Sequence, residues 1–191
     1  MSGRQQLVKE QLAESAQVKE DMISSCSDEI LKAAEIFISA LTNGKKIMWC
    51  GNGGSAADCQ HLSTEMLARL RKERRPLASI ALTTDTSLLT AWSNDYSFDS
   101  VFVRQVEGLG RKGDVLVAIS TSGNSRNVIE VVNFSENRDI KVVILTGKDG
   151  GKLKEHGDVM IKIPSRDTQH IQEGHITAGH IICDLVEQAF L

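Results

Sequence analysis

Two groups of residues in this 191-residue chain have the types and spacing for proton transfer or metal binding. His61 and Glu65 are four apart in a stretch that reads as helix, so imidazole and carboxylate share one face a turn apart. That pair can hold a divalent ion or couple a base to its partner. Near the C-terminus, His170, His175 and His180 place three of the five histidines within eleven residues. On a helix, Glu173 and His180 fall within roughly 20° of each other, and Gln172 lies roughly 80° from His180. Spacing alone leaves other readings open. A lone HxxxE is more commonly an exposed surface pair, His175 reads as a solvent or interface histidine, and His180 stands between a satisfied core residue and a ligand.

Two turns rich in small residues offer a place for an anion. Gly51-Asn52-Gly53-Gly54-Ser55 follows the apolar run 46–50, and Thr121-Ser122-Gly123-Asn124-Ser125 follows 114–120, each leading into a helix-compatible stretch. At the carboxyl end of a parallel strand the next helix presents free N–H groups and its positive dipole end. Ser120, Thr121, Ser122 and Ser125 add hydroxyls, enough to surround a phosphate monoester without a lysine. Neither turn fits GxxxxGK[ST] or GxGxxG, so nucleotide hydrolysis and dinucleotide binding have little support. Singly, each turn is an ordinary helix start; as a pair they read as two walls of one pocket at a topological switch point. Asn94-Asp95 fits sugar hydroxyls or a simple turn.

Positioning these residues takes alternating strands and helices. Apolar spacings of three and four from Gln5 to about Thr42 predict two helices separated at Ser24–Ser27, with Ser27 as N-cap and Asn43-Gly44 as the stop. Strands are expected at 46–50, 78–82, 114–120, 141–146 and 159–163, and helices at 56–70, 126–134 and 171–190. The alternation implies a mostly parallel sheet covered on both faces. No linker or repeat interrupts it, so one domain is expected over 1–191, with N-terminal helices at 1–44 and an α/β core at 45–191.

A net charge of −3, with Arg71-Lys72-Glu73-Arg74-Arg75 as the only dense basic stretch, gives little footprint for nucleic acid or an anionic membrane. That stretch reads as a solvated helix end. Cys26, Cys50, Cys59 and Cys183 are too scattered for a CxxC pair or a zinc knuckle, and read as buried thiols in a reducing compartment. The first residues carry charge and no apolar stretch of signal-peptide or membrane-span length, so a cytoplasmic location is expected.

With these residues in place, the chain resembles the sugar isomerase (SIS) domain family and, more narrowly, the phosphoheptose isomerases. The matching motifs are CGNGGSAADCQHLSTE at Cys50–Glu65, ALTTDTS at Ala81–Ser87, SNDYSF at Ser93–Phe98, AISTSGNS at Ala118–Ser125, LTGKDGG at Leu145–Gly151, and IQEGH followed by His180. The resemblance implies a three-layer α/β/α sandwich with a five-stranded parallel sheet, and a homotetramer with pockets completed across subunit interfaces. It implies conversion of sedoheptulose 7-phosphate to D-glycero-D-manno-heptose 7-phosphate, the first step toward ADP-heptose for the lipopolysaccharide core of Gram-negative bacteria. It also implies zinc on His61, Glu65, Gln172 and His180, with Glu65 and His180 as the acid–base pair. Substrate contacts would come from Asn52, Gly53, Gly54, Ser55, Arg69, Asn94, Asp95, Ser120, Thr121, Ser122, Ser125 and Gln172.

Such an aldose–ketose interconversion passes through a cis-enediol and needs a base near the carbon acid, an acid near the carbonyl oxygen and a group that stabilises the enediolate. The chain departs from the family pattern at three places. His170 stands where Arg is usual, removing a charge expected near the pocket entrance, and Trp92 stands where an aliphatic residue is expected. Gly174 replaces a bulkier residue and should loosen the first turn of the last helix by about 1 kcal/mol relative to Ala. A rival in the same fold is the DnaA-binding initiation factor, a binding module without turnover. It lacks the glutamate matching Glu65 and carries Arg within the serine loop where this chain has Ser122, so both residues favour catalysis.

Overall fold

The computed structural model describes residues 3–191; Met1 and Ser2, the start of the expected N-terminal helical part, lie outside the described residues. In chain order the elements are α1 (Gly3–Ser25), α2 (Ser27–Thr42), β1 (Ile47–Gly51), α3 (Gly54–Leu67), β2 (Ser79–Ala81), α4 (Thr86–Asp95), α5 (Val101–Leu109), β3 (Val115–Ser120), α6 (Arg126–Glu136), β4 (Lys141–Gly147), β5 (Val159–Ile163) and α7 (Thr168–Ala189). Short 3-10 turns sit at Phe98–Ser100 and Gly151–Glu155. The five strands form one parallel sheet in the order β2-β1-β3-β4-β5.

The apolar runs of β1 and β3 are buried along their whole length, as a parallel sheet covered on both faces requires. Alternate residues feed opposite layers. Ile47, Trp49, Val115, Val117 and Val143 pack with α2, α3 and α7. Met48, Cys50, Leu116, Ala118 and Val142 pack with α5 and α6, with α4 beside them. From adjacent strands, β1 leads through α3 to β2 at one edge, while β3 leads through α6 to β4 in the other direction. The crevice between the carboxyl ends of β1 and β3 is therefore a topological switch point.

Several local expectations change. Ser27 is not a cap: it is the first residue of α2, its hydroxyl donates to the Ile23 carbonyl at 2.5 Å, and Cys26 precedes it with no side-chain cap bond. The amphipathic helix α5, which buries Val101, Phe102 and Val106, was not anticipated. His175 is fully buried rather than at solvent. At Gly174 a Cβ would stand 2.6 Å from Ile163 Cγ2, so its absence lets α7 lie close on β5 and gives the glycine a packing role beside its cost to the helix. Trp92 is held by Ser100, which accepts its ring N–H at 2.9 Å, and by stacking on Tyr96. The four cysteines are free and buried, as expected. Among the described residues, no helix is long and apolar enough to cross a membrane.

The basic stretch is largely exposed, as expected, but it lies beyond the helix end and the side chain of one member, Arg74, is buried. α3 stops at Leu67, and the Arg74 guanidinium satisfies carbonyls that a helix C-terminus leaves free, donating to Glu65 O at 2.6 Å and Met66 O at 2.9 Å. Its side chain is 1% exposed and lies 3.5 Å from Glu187, which is 2% exposed. The Glu187 carboxylate in turn accepts backbone N–H groups from Leu70, Arg71 and Lys72 at 2.8, 2.8 and 2.9 Å. Burial by itself raises the Glu187 pKa, but those three donors and Arg74 outweigh it and hold the carboxyl below its ordinary value. A carboxylate of lowered pKa stabilises the fold above its unfolded pKa, and the contribution is lost as pH falls through the folded one. We expect Glu187→Gln to lower stability at pH 7 by about 3 kcal/mol in urea unfolding. The gap should shrink below about pH 4 as the wild-type carboxylate protonates; equal stability at pH 7 would contradict this role.

Candidate active site

α3 and α7 run side by side in the same direction on one face of the sheet. The Gln172 amide lies over Gly54 at the start of α3, Leu62 fills the space left by the missing side chain of Gly179, and His61 meets His180. His61 Nε2 is 2.8 Å from His180 Nε2 and 3.4 Å from Glu65 Oε1, and the imidazoles meet edge to face. One ligand atom from each of His61, Glu65 and His180 lies within 4.8 Å of the others. Two atoms bonded at about 2.1 Å to one ion can be at most about 4.2 Å apart, so side-chain movement of under an ångström would bring the three donors around a divalent cation. Two imidazoles and a carboxylate suit a borderline-soft ion and leave positions open for substrate. Glu65 is largely shielded and His61 half exposed, so the cluster is open on the His61 side.

Neighbouring residues on α7 point elsewhere. Gln172 lies at the loop end, eight residues and about 12 Å of helix rise from His180. Glu173, close to His180 in angle, instead turns to α1, where it accepts the Ser15 hydroxyl and lies 3.4 Å from Lys19 Nζ. The Ser15 hydrogen bond is the main reason its pKa is lowered. His170 is buried in that same seam, its ring 3.4 Å from Glu14 and 3.5 Å from Glu173, and it does not line the cavity at the serine loop. Asp58 escaped the sequence reading, although it precedes His61 by one turn on the same stripe. Its Oδ2 is buried with no hydrogen-bond partner among the described residues, and burial raises its pKa to about 6, with His61 opposing the rise.

The two loops are neighbours, and a residue missed in the sequence ties them. Asn52 and Asn127 exchange amide hydrogen bonds at 2.9 Å in both directions, joining the loop after β1 to the first turn of α6. Ser120 Oγ is 3.2 Å from Ser125 Oγ, and the Ser122 hydroxyl accepts the Asn124 N–H at 3.2 Å. Gly123 takes φ +64° and packs its backbone directly on Gly150 and Gly151, where any side chain would overlap. Its carbonyl accepts N–H groups from Lys152 and Leu153 at 3.0 and 3.2 Å, so the LTGKDGG segment buttresses the serine loop. α4 and α7 are capped by Asp85 and Asp167, whereas the starts of α3 and α6, at Gly53 and Ser125, have no side-chain cap bond. Their N–H groups remain available to an anion.

A cavity of about 310 Å³ adjoins the serine loop, walled by Thr121, Ser122, Asn124, Lys148 and an Arg166–Asp149 ion pair. A larger cavity, about 980 Å³, lies by the amino ends of β4 and β5 and includes none of the residues expected to act. Asn94 and Asp95, hydrogen-bonded to each other at 2.8 Å, are exposed at the end of α4 on the opposite face from α3 and α7. Arg69 is exposed and lies 3.7 Å from Glu73. Within this chain these three residues are not seen to join the His61–Glu65–His180 cluster.

The SIS domain family matches residues 11–147. The chain is 49% identical to a phosphoheptose isomerase of Neisseria gonorrhoeae over all of this chain and 98% of that protein. It is 50% identical to one from a Nitratiruptor species, covering 96% of this chain and 98% of that one. The solved structure of phosphoheptose isomerase GmhA from Neisseria gonorrhoeae superposes with a TM-score of 0.92 at 48% identity, over 96% of this chain and 98% of that chain.

Asn127 is 2% exposed, so removing its amide strands the facing Asn52. We expect Asn127→Ala to cost about 1–3 kcal/mol in chemical denaturation. Unchanged stability would mean that the amide pair does not hold the two loops together.

Proposed function

This chain belongs to the SIS domain family, among the phosphoheptose isomerases, and from that premise we propose that it converts sedoheptulose 7-phosphate to D-glycero-D-manno-heptose 7-phosphate by proton transfer through a cis-enediol. The observation that carries the reading is the meeting of His61, Glu65 and His180 from two separate helices. We assign zinc to these three donors; when bound it would act as a Lewis acid on the C1 and C2 oxygens. Glu65 removes the C1 proton of the opened ketose and returns it to C2, while His180 assists transfer of the hydroxyl proton from O1 to O2, which leaves the aldehyde at C1. A carboxylate or imidazole bound to a cation is a weaker base, so ligand and proton-carrier roles alternate for these side chains.

Ser120, Thr121, Ser122 and Ser125 take the phosphate together with the free N–H groups of α6. Asn52, Gly53, Gly54 and Ser55 form the opposite wall. Gln172, over Gly54, meets the sugar chain between the two ends; as a fourth zinc ligand it would have to extend along α7 toward His180. Holding the phosphate remote from the reacting carbons orients C1 and C2 at Glu65, so the phosphate should raise turnover as well as affinity.

Asn94, Asp95 and Arg69 serve a pocket completed by a second copy, within a homotetramer. Their exposure supports this, as do the uncovered apolar residues Leu7, Val8, Leu12 and Ile23 on α1. We place the enzyme in the cytoplasm, supplying heptose phosphate toward the ADP-heptose of the lipopolysaccharide core. A binding module without turnover is disfavoured, because it gives no use to Glu65 within the cluster.

The test is an isomerase assay on zinc-loaded protein with sedoheptulose 7-phosphate, unphosphorylated sedoheptulose and Glu65→Gln. We expect turnover of the phosphorylated sugar, much slower turnover of the free sugar, and a loss of roughly a hundredfold or more in the variant. No conversion of the phosphorylated sugar would overturn the assignment, and a fully active Glu65→Gln would remove that residue as the base.

A further inference from the structure

We infer that Thr146 is a positioning residue for phosphate binding: its buried hydroxyl lies beside Ser120 at the root of the serine loop and supplies the hydrogen bond that Ser120 loses when it turns its proton to the phosphate. The inference deepens the proposed function and rests on its assignment of the serine loop to the phosphate.

Thr146 and Ser120 are paired in register across the neighbouring strands β4 and β3. Alternation puts their side chains on one face of the sheet, because Ile144 and Ala118, two residues before each, belong to the layer that packs against α5 and α6. Neighbouring strands lie about 4.8 Å apart, so residues side by side on one face are within reach of each other. On its other flank Thr146 is paired with Lys162 of β5, which is exposed. Ser120 and Thr146 are both buried, at 4% and 0% exposure.

The two hydroxyls differ in what holds them. Ser120 Oγ is 3.2 Å from Ser125 Oγ, whereas Thr146 Oγ1 has no hydrogen-bond partner among the described residues. A buried hydroxyl without a partner carries a desolvation penalty that valine, of nearly the same shape, avoids. Packing alone therefore favours valine at this position, and the threonine needs another reason.

Phosphate binding gives one. A phosphate dianion accepts hydrogen bonds and donates none. The Ser120–Ser125 contact uses one proton between two hydroxyls. When both serines direct their protons at phosphate oxygens, that contact is lost and the buried Ser120 oxygen needs a donor. The Thr146 O–H is committed to nothing else and stands on the same face. A chain in which Thr146 donates to Ser120 and Ser120 donates to the phosphate fixes the serine toward the anion and strengthens its bond by polarisation. The backbone here is tied already, Gly147 donating its N–H to the Thr121 carbonyl at 3.0 Å, so side-chain rotation makes the chain.

The experiment measures inorganic phosphate binding by calorimetry, zinc affinity by chelator competition and urea unfolding on full-length, zinc-loaded protein. It compares wild type with Thr146→Val, Thr146→Ser, Ser120→Ala, Ser122→Ala and the double variant of Ser120→Ala with Thr146→Val. Thr146→Val should raise Kd for phosphate about fivefold, with zinc affinity unchanged and the urea midpoint equal or higher. Thr146→Ser, which keeps the hydroxyl, should recover most of the affinity. In the Ser120→Ala background Thr146→Val should add less than about twofold, because its effect passes through Ser120. Unchanged phosphate affinity in Thr146→Val, alongside a loss in Ser120→Ala, would overturn the role of Thr146 alone. A full further loss of about fivefold in the double variant would overturn its action through Ser120. A lowered midpoint or a failure to fold in Thr146→Val would show a merely structural residue and overturn it too. Intact phosphate affinity in both Ser120→Ala and Ser122→Ala would instead overturn the assignment of the serine loop.

Discussion

Everything proposed for the chemistry depends on how closely α3 and α7 approach. Side chains on neighbouring helices share a ligand or a proton only when they face each other at the same level, and the packing of α3 on α7 sets that level for His61 and His180. Here Leu62 enters the space that Gly179 leaves, and Gln172 covers Gly54, so the two helices draw together along their length. The same contact that buries apolar surface therefore sets the 2.8 Å meeting of two imidazoles. Arg74 and Glu187 brace the far end of α3 from the loop beyond it, and Glu187 belongs to α7. One buried ion pair thus links the C-terminal parts of both helices that carry the cluster.

The second half of the site is set by the sheet. Because β1 and β3 are neighbours whose chains depart in opposite directions, the loops after them lie side by side at the switch point. The Asn52–Asn127 amide pair fixes their separation, and the glycine-on-glycine contact of Gly123 with Gly150 and Gly151 fixes the curve of the serine loop. Hydroxyls and free N–H groups gather at one end of the α3–α7 contact and titratable groups at the other. That division matches a substrate with its phosphate at one end of the carbon chain and its reacting carbons at the other.

Much of this was legible in the sequence where local pattern and tertiary role agree. The five strands, the two loops and the helix bearing His61 and Glu65 follow from apolar runs broken by glycine and serine. What escaped were features decided by distant partners. Arg74 looks like one charge in a basic run, and only Glu187, more than a hundred residues later, buries it. Gly174 looks like a weak point in a helix until Ile163 is seen against it. Helical angle paired Glu173 with His180, yet α1 packs across that surface and takes Glu173 for itself. Asp58 and Asn127 carry no spacing signal strong enough to separate them from ordinary helix residues. The HxxxE pair was ambiguous in isolation, and it acquired meaning from the family resemblance and from the position of His180.

The central claim is that His61, Glu65 and His180 gather around one cation that also meets the substrate. X-ray absorption at the zinc edge, on protein loaded with one zinc per chain, tests it most directly. The account expects scattering from two imidazoles in a shell of nitrogen and oxygen donors, changed by addition of sedoheptulose 7-phosphate and losing one imidazole in His180→Gln. A zinc shell without imidazole, or one indifferent both to the sugar phosphate and to the loss of His180, would contradict it.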